Sequence, residues 1–177
     1  DAAVEAYVPP KRFASQADPA GVAEAVEMLL AAKHPVLFAG QGVLYAEAWD
    51  DLRELAELLQ IPVAATMNAK SVFPEDHPLS LGAAGAACTE LSDTFLNGAD
   101  LIFGVGASFS ANTYSYPMPQ GKQIVQVTTD ERDLNKDLPT DLGLIGDAKL
   151  VLRQLIDAAS AKLGGKGCDG SALQAEI

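Results

Sequence analysis

The sequence predicts an α/β fold: six parallel strands in the order 3-2-1-4-5-6, doubly wound in three layers with helices on both faces. Three observations lead there. Short apolar runs bounded by turn residues alternate with amphipathic stretches of helical period, as in repeated βαβ units. Parallel neighbours need long crossovers, and these are right-handed in nearly all known cases. Glycine-containing turns stand at the carboxyl ends of several runs, where open parallel sheets gather ligands.

Asp18 is placed to cap a first helix, with Pro19 at its first position and Val22, Val26, Leu29 and Leu30 on one face. Pro35 ends that helix near Lys33. Pro35–Ala39 follows as a buried strand, then Gly40-Gln-Gly42 as a tight loop. Leu52, Leu55, Ala56 and Leu59 mark a second helix, Ile61–Ala65 the next strand, and Leu79–Leu81 a short third one. A helix over Glu90–Leu96 leads to strands at Asp100–Val105, Gln123–Thr128 and Leu142–Ile145. Asp147 then caps a last helix reaching Lys162, with Leu150, Val151, Leu155 and Ile156 inward. Residues 1–17 read as a linker, 18–162 as the folded domain and the glycine-rich 163–177 as a flexible tail. An opening at Asp1 rather than methionine is expected of an excised segment, and equally of a chain with a trimmed tag.

A formal net charge of -12 argues against nucleic acid and anionic membranes as partners. No stretch approaches the roughly 20 apolar residues of a membrane span. Cys88 and Cys168 are too few for a disulfide framework or a thiolate zinc site and read as free thiols of a cytoplasmic protein.

Candidate ligand segments lie at strand ends: Gly40-Gln41-Gly42; Thr66-Met67-Asn68; Gly104-Val105-Gly106-Ala107-Ser108; and Thr128-Thr129-Asp130, where Asp130 could accept hydrogen bonds from ribose hydroxyls. Glycine lets a backbone approach a ligand, and helix N-termini offer N–H groups to phosphates. The fingerprint is partial, because Tyr45 and Phe109 stand where G-x-G-x-x-G would end, and there is no P-loop. The same glycines could equally serve tight turns alone. His34 reads as a helix C-terminal cap, His77 in Glu75-Asp-His-Pro78 as a loop residue without metal partners, and the acid pairs Asp50-Asp51 and Asp130-Glu131 as solvated faces. Ser108 lacks a nucleophile elbow. The long loop Phe109–Gly121, with Tyr114, Tyr116 and Pro117, could lie over a ligand or against a neighbouring domain. No catalytic residue and no metal ligand emerges.

Leu29-Leu-Ala-Ala-Lys-His-Pro-Val-Leu-Phe-Ala-Gly-Gln-Gly-Val43, Leu55-Ala-Glu-Leu-Leu-Gln-Ile-Pro-Val63, Lys70-Ser-Val-Phe-Pro-Glu-Asp-His-Pro-Leu79 with Gly82, and Gly146-Asp-Ala-Lys-Leu-Val-Leu152 follow one another in fixed order. In that order they resemble the central domain of thiamine-diphosphate-dependent enzymes of the acetolactate-synthase type. The resemblance implies a Rossmann-like sheet of the DHS-like NAD/FAD-binding type. It implies a parent decarboxylase or carboligase acting on 2-oxo acids, whose pyrimidine-binding and diphosphate-binding domains hold thiamine diphosphate and Mg. Those cofactors belong to the parent and not to this segment, which is structural rather than catalytic alone. In some members the central domain carries FAD or ADP. By position the contacts would be Gly40, Gln41, Gly42, Thr66, Met67, Asn68, Gly106, Ala107, Ser108, Asp130 and Asp147. The family's Arg-Phe-Asp-Asp-Arg run stands here as Ser108-Phe-Ser-Ala-Asn112, and its Ile-Asp-Ile-Asp-Pro as Val127-Thr-Thr-Asp-Glu131. A family decarboxylase or carboligase therefore fits better than an acetolactate synthase proper. Homo-oligomerisation is also expected. The alternative is a free-standing FAD-, ADP- or NAD-binding protein of related fold.

Overall fold

The structure is a computed structural model that describes residues 13–170 together with Val8, Leu173 and Ile177. Six strands form one parallel sheet: β1 (Pro35–Ala39), β2 (Val63–Thr66), β3 (Ser80–Ala84), β4 (Leu101–Val105), β5 (Gln123–Thr128) and β6 (Leu142–Ile145). Their order is β3-β2-β1-β4-β5-β6, as expected. The order reverses between β1 and β4, whose register runs from Pro35 opposite Leu101 to Ala39 opposite Val105.

Both faces of the central strands are buried, so their side chains alternate between two apolar layers. Leu37, Ala39, Leu101, Phe103, Val105, Val125 and Val127 point to one face. There they meet α1 (Pro19–Ala31), α3 (Trp49–Leu59) and α5 (Ala148–Lys162). Val36, Phe38, Ile102 and Ile124 point to the other. That second face differs from the expected helical cover. It carries one helix, α4 (Glu90–Gly98), and the connections after β4 and β5 supply Ala107, Tyr116 and Leu138 in place of further helices. The cause lies in residues 107–121 and 129–141, which are polar, hold prolines and have no apolar period, so a helix there would bury nothing.

The caps form as expected. Asp18 accepts the Ala20 N–H at 2.8 Å, and Asp147 accepts from Lys149 and Leu150. Gly40–Gly42 is not a plain loop: Gln41–Tyr45 forms a short helix, α2, anchored by buried Val43. Five residues are too few to show a period. β2 begins two residues later than expected because the chain leaves α3 through Gln60 in a left-handed turn (φ 54) and Pro62 has no N–H to donate. β3 runs further than expected, to Ala84, with a bulge at Gly82 (φ 82). His34 does not serve through a helix cap in the way expected. The N–H groups of Lys33 and His34 donate to the Asp100 carboxylate. Burial raises that carboxyl's pKa, but these two N–H groups, its own backbone N–H and the charge of His34 together hold the group below its ordinary value.

Asp51 overturns the reading of Asp50-Asp51 as a solvated pair. Asp50 is exposed and meets Arg53, whereas Asp51 is buried and paired with Arg153 of α5. Both segments flanking the domain are bonded to it where described. Ser15 accepts the Asp147 N–H, Ala17 exchanges two hydrogen bonds with Gln154, and Cys168 N–H donates to Leu58 O. Most of the linker, residues 1–7 and 9–12, and residues 171, 172 and 174–176 of the tail lie outside the described residues.

Candidate functional site at the strand-order switch

At the carboxyl ends of the strands, over the β1/β4 switch, lies a cleft of about 680 Å³, within the roughly 300–1,000 Å³ typical of small-molecule sites. Nine of the eleven expected contacts line it: Gly40, Gln41, Gly42, Thr66, Met67, Asn68, Gly106, Ala107 and Ser108. The other two do not. Asp130 lies beyond β5 with its carboxylate on the Arg132 guanidinium and backbone N–H, which hold its pKa down at about 2. Asp147 is spent capping α5.

The glycines meet one another rather than open space. A Cβ on Gly40 would stand 2.2 Å from Gly106 O, and one on Gly42 would stand 2.6 Å from Gly106 Cα. Gly106 itself has φ +59, where side chains are rarely tolerated. The N–H groups of Gly40, Gly42 and Gly106 donate to Val105 O, Gly106 O and Val127 O at 2.8, 3.0 and 2.9 Å. Gly40 and Gly42 therefore tie the end of the first strand to that of the fourth, and Gly106 ties the fourth to the fifth, the tight-turn role that the sequence also allowed.

The long loop after β4 closes one side of the cleft. Phe109 (φ 49) stacks on Phe38 with centroids 5.7 Å apart and lies over Gly104, where a Cβ would meet its ring at 2.4 Å. Ala86 N–H donates to Tyr114 O. Tyr116 donates its hydroxyl proton to Asp93 at 2.9 Å. Burial and then this carboxylate push its pKa up. Tyr45 and Tyr114 remain exposed at the mouth.

Sequence reasoning missed Asp133, Asp137 and Leu138, which line the cleft from the β5–β6 connection. Their signal was topological: any chain leaving β5 starts at the same edge as the switch point. Ser108 is exposed, and its hydroxyl pairs with that of Ser110 at 3.0 Å. His77 bridges the Glu57 carboxylate and the Leu79 N–H, edge-on to Phe73, a structural role. Among the described residues no group of three or more His, Cys, Asp or Glu gathers to hold a metal.

A doubly wound parallel sheet with a glycine-knit cleft at its switch point defines an α/β domain of the dinucleotide-fold type. Residues 22–155 match the family described as thiamine pyrophosphate enzyme, central domain, and the chain belongs to that family. It is 34% identical over 146 residues to a probable acetolactate synthase large subunit of Methanocaldococcus jannaschii, covering 81% of this chain and 24% of that protein. It is 34% identical over 142 residues to glyoxylate carboligase of Escherichia coli O157:H7, covering 78% of this chain and 24% of that protein. The crystal structure of benzoylformate decarboxylase from Polynucleobacter necessarius superposes with a TM-score of 0.72 at 27% identity, covering 93% of this chain and 30% of that one. The chain spans about a quarter of the length of the curated relatives it matches. No helix among the described residues is long and apolar enough to cross a membrane.

Proposed function

We propose that this domain is the central platform of a thiamine-diphosphate-dependent decarboxylase or carboligase acting on 2-oxo acids, structural in itself, with the switch-point cleft as its own small-molecule site. The family match over residues 22–155 carries the reading. The names of the relatives support the reaction class, since synthase, carboligase and decarboxylase each make or break a bond beside a 2-oxo acid carbonyl. In the parent, thiamine diphosphate supplies the electron sink for that bond change. The residues of this chain do not suit it. The charged residues lining the cleft are Asp133 and Asp137, and no cluster of metal ligands lies beside them among the described residues. What this chain contributes is spacing and surface. Its rigid sheet sets the distance between the pyrimidine-binding and diphosphate-binding domains, and the exposed Tyr45, Trp49, Met67 and Tyr114 are apolar area for them or for a second copy to cover. Calorimetric titration of the chain with thiamine diphosphate and Mg²⁺ tests the division of labour. No binding heat is expected, and a micromolar dissociation constant would refute it.

A further inference from the structure

We infer that the switch-point cleft selects an uncharged, planar heterocycle, such as a nucleoside or flavin without phosphates, and turns away the diphosphate of ADP or FAD. The inference rests on the cleft being a ligand site and deepens that reading. A diphosphate needs convergent backbone N–H groups or cations; the strand-end glycine N–H groups are spent, and among the described residues no cation lines this cleft. The N–H groups of Gly40, Gly42 and Gly106, candidates from the sequence for holding phosphate, all donate to backbone carbonyls. These residues are glycine because another loop passes within 2.2–2.6 Å of where a Cβ would sit, so their small size leaves no cradle for a ligand. Among the described lining residues there is no Lys or Arg, and Asp133 and Asp137 bring negative charge to the β5 side. Asp137 is fixed there by the Ala111 N–H at 2.9 Å, and Asp133 faces Thr128 Oγ1. Asp137 is exposed and Asp133 lies 3.9 Å from Lys136 Nζ, so beyond the lack of cations the two carboxylates add a screened, salt-sensitive repulsion. The net charge of -12 adds to the repulsion.

What remains available is neutral. Gln41, Asn68 and Asn112 offer amide edges, which pair with either donors or acceptors. Tyr45 and Tyr114, exposed at the mouth, offer aromatic planes for stacking. The space of about 680 Å³ suits a ring system carrying one sugar.

Equilibrium dialysis of the 177-residue chain against adenosine and ADP, and against riboflavin and FAD, isolates the charge because each pair shares a ring and differs in its phosphates. At least tenfold tighter binding of the unphosphorylated member of a pair is expected near 0.1 M salt. The gap should narrow at 1 M, where the Debye length falls to about 3 Å. It should narrow likewise in the double variant Asp133→Asn, Asp137→Asn, whose amide oxygens keep the acceptors. ADP or FAD bound as tightly as its partner overturns the inference while leaving the cleft a ligand site. Failure of all four to bind overturns both. A gap unchanged in the double variant removes the two carboxylates as its cause.

Discussion

Replacing Gly106 by alanine should unfasten the switch point, and the cost can be worked from the structure. Gly106 has φ +59, and a Cβ there would lie 2.6 Å from Gly42 Cα and 2.8 Å from Val43 N. A side chain in the left-handed region costs about 1–2 kcal/mol. Forcing two packed backbones apart costs about 1–3 kcal/mol more. The stiffer unfolded chain returns about 0.5 kcal/mol, which leaves a net loss of about 3 kcal/mol. For a domain of this size each kcal/mol lowers Tm by about 2–4 °C, so thermal unfolding followed by circular dichroism should show a drop of about 6–12 °C. Gly98→Ala is the control. Gly98 closes α4 with nothing within 4 Å of its would-be Cβ and an ordinary φ. That substitution should be neutral or stabilise by about 0.5 kcal/mol. If the two variants melt together, or Gly106→Ala loses less than about 1 kcal/mol, the glycines do not knit the strand ends and are free for a ligand.

Other consequences follow from the charges and the loop. Arg153→Met leaves buried Asp51 without its cation and should cost about 2 kcal/mol in urea denaturation, below the roughly 3–5 kcal/mol of fully buried pairs, since Arg153 is 46% exposed. Asp130 should titrate near pH 2 by carboxyl NMR and return toward about 4 in Arg132→Ala. Because its folded pKa is depressed, its contribution is present above the unfolded value and is lost as pH falls through about 2. Tyr116→Phe removes the bonds to Asp93 and Asn97 and should cost about 1 kcal/mol. With its folded pKa raised, Tyr116 stabilises fully below about pH 10 and loses that contribution as pH climbs past it, which ultraviolet titration will follow.

The helix-clad half of the molecule was legible because its elements obey local rules. Asp18-Pro19 and Asp147 cap helices through their own neighbours, and the all-apolar runs of β1 and β4 have one stable place in a parallel sheet. The other face was not, because Phe109, Tyr116 and Leu138 are isolated anchors in polar chain whose partners Phe38, Asp93 and the sheet are far off in sequence. The same holds for Asp51, which reads as surface until Arg153 arrives from α5 across the fold. Strand-end position was enough to place nine of the eleven expected residues on the cleft lining at the switch point. Asp130 lies off that lining, and a two-residue-distant arginine holds its carboxylate. Asp147 also lies off the lining, with its carboxylate capping the last helix.

The measurement that bears most directly on the account is a domain exchange. Residues 22–155 replace the corresponding segment of Escherichia coli O157:H7 glyoxylate carboligase, to which this chain is 34% identical. The proposed role as a spacing platform predicts a folded chimera that binds thiamine diphosphate and consumes glyoxylate. A chimera that folds with native dispersion yet binds no thiamine diphosphate would contradict it.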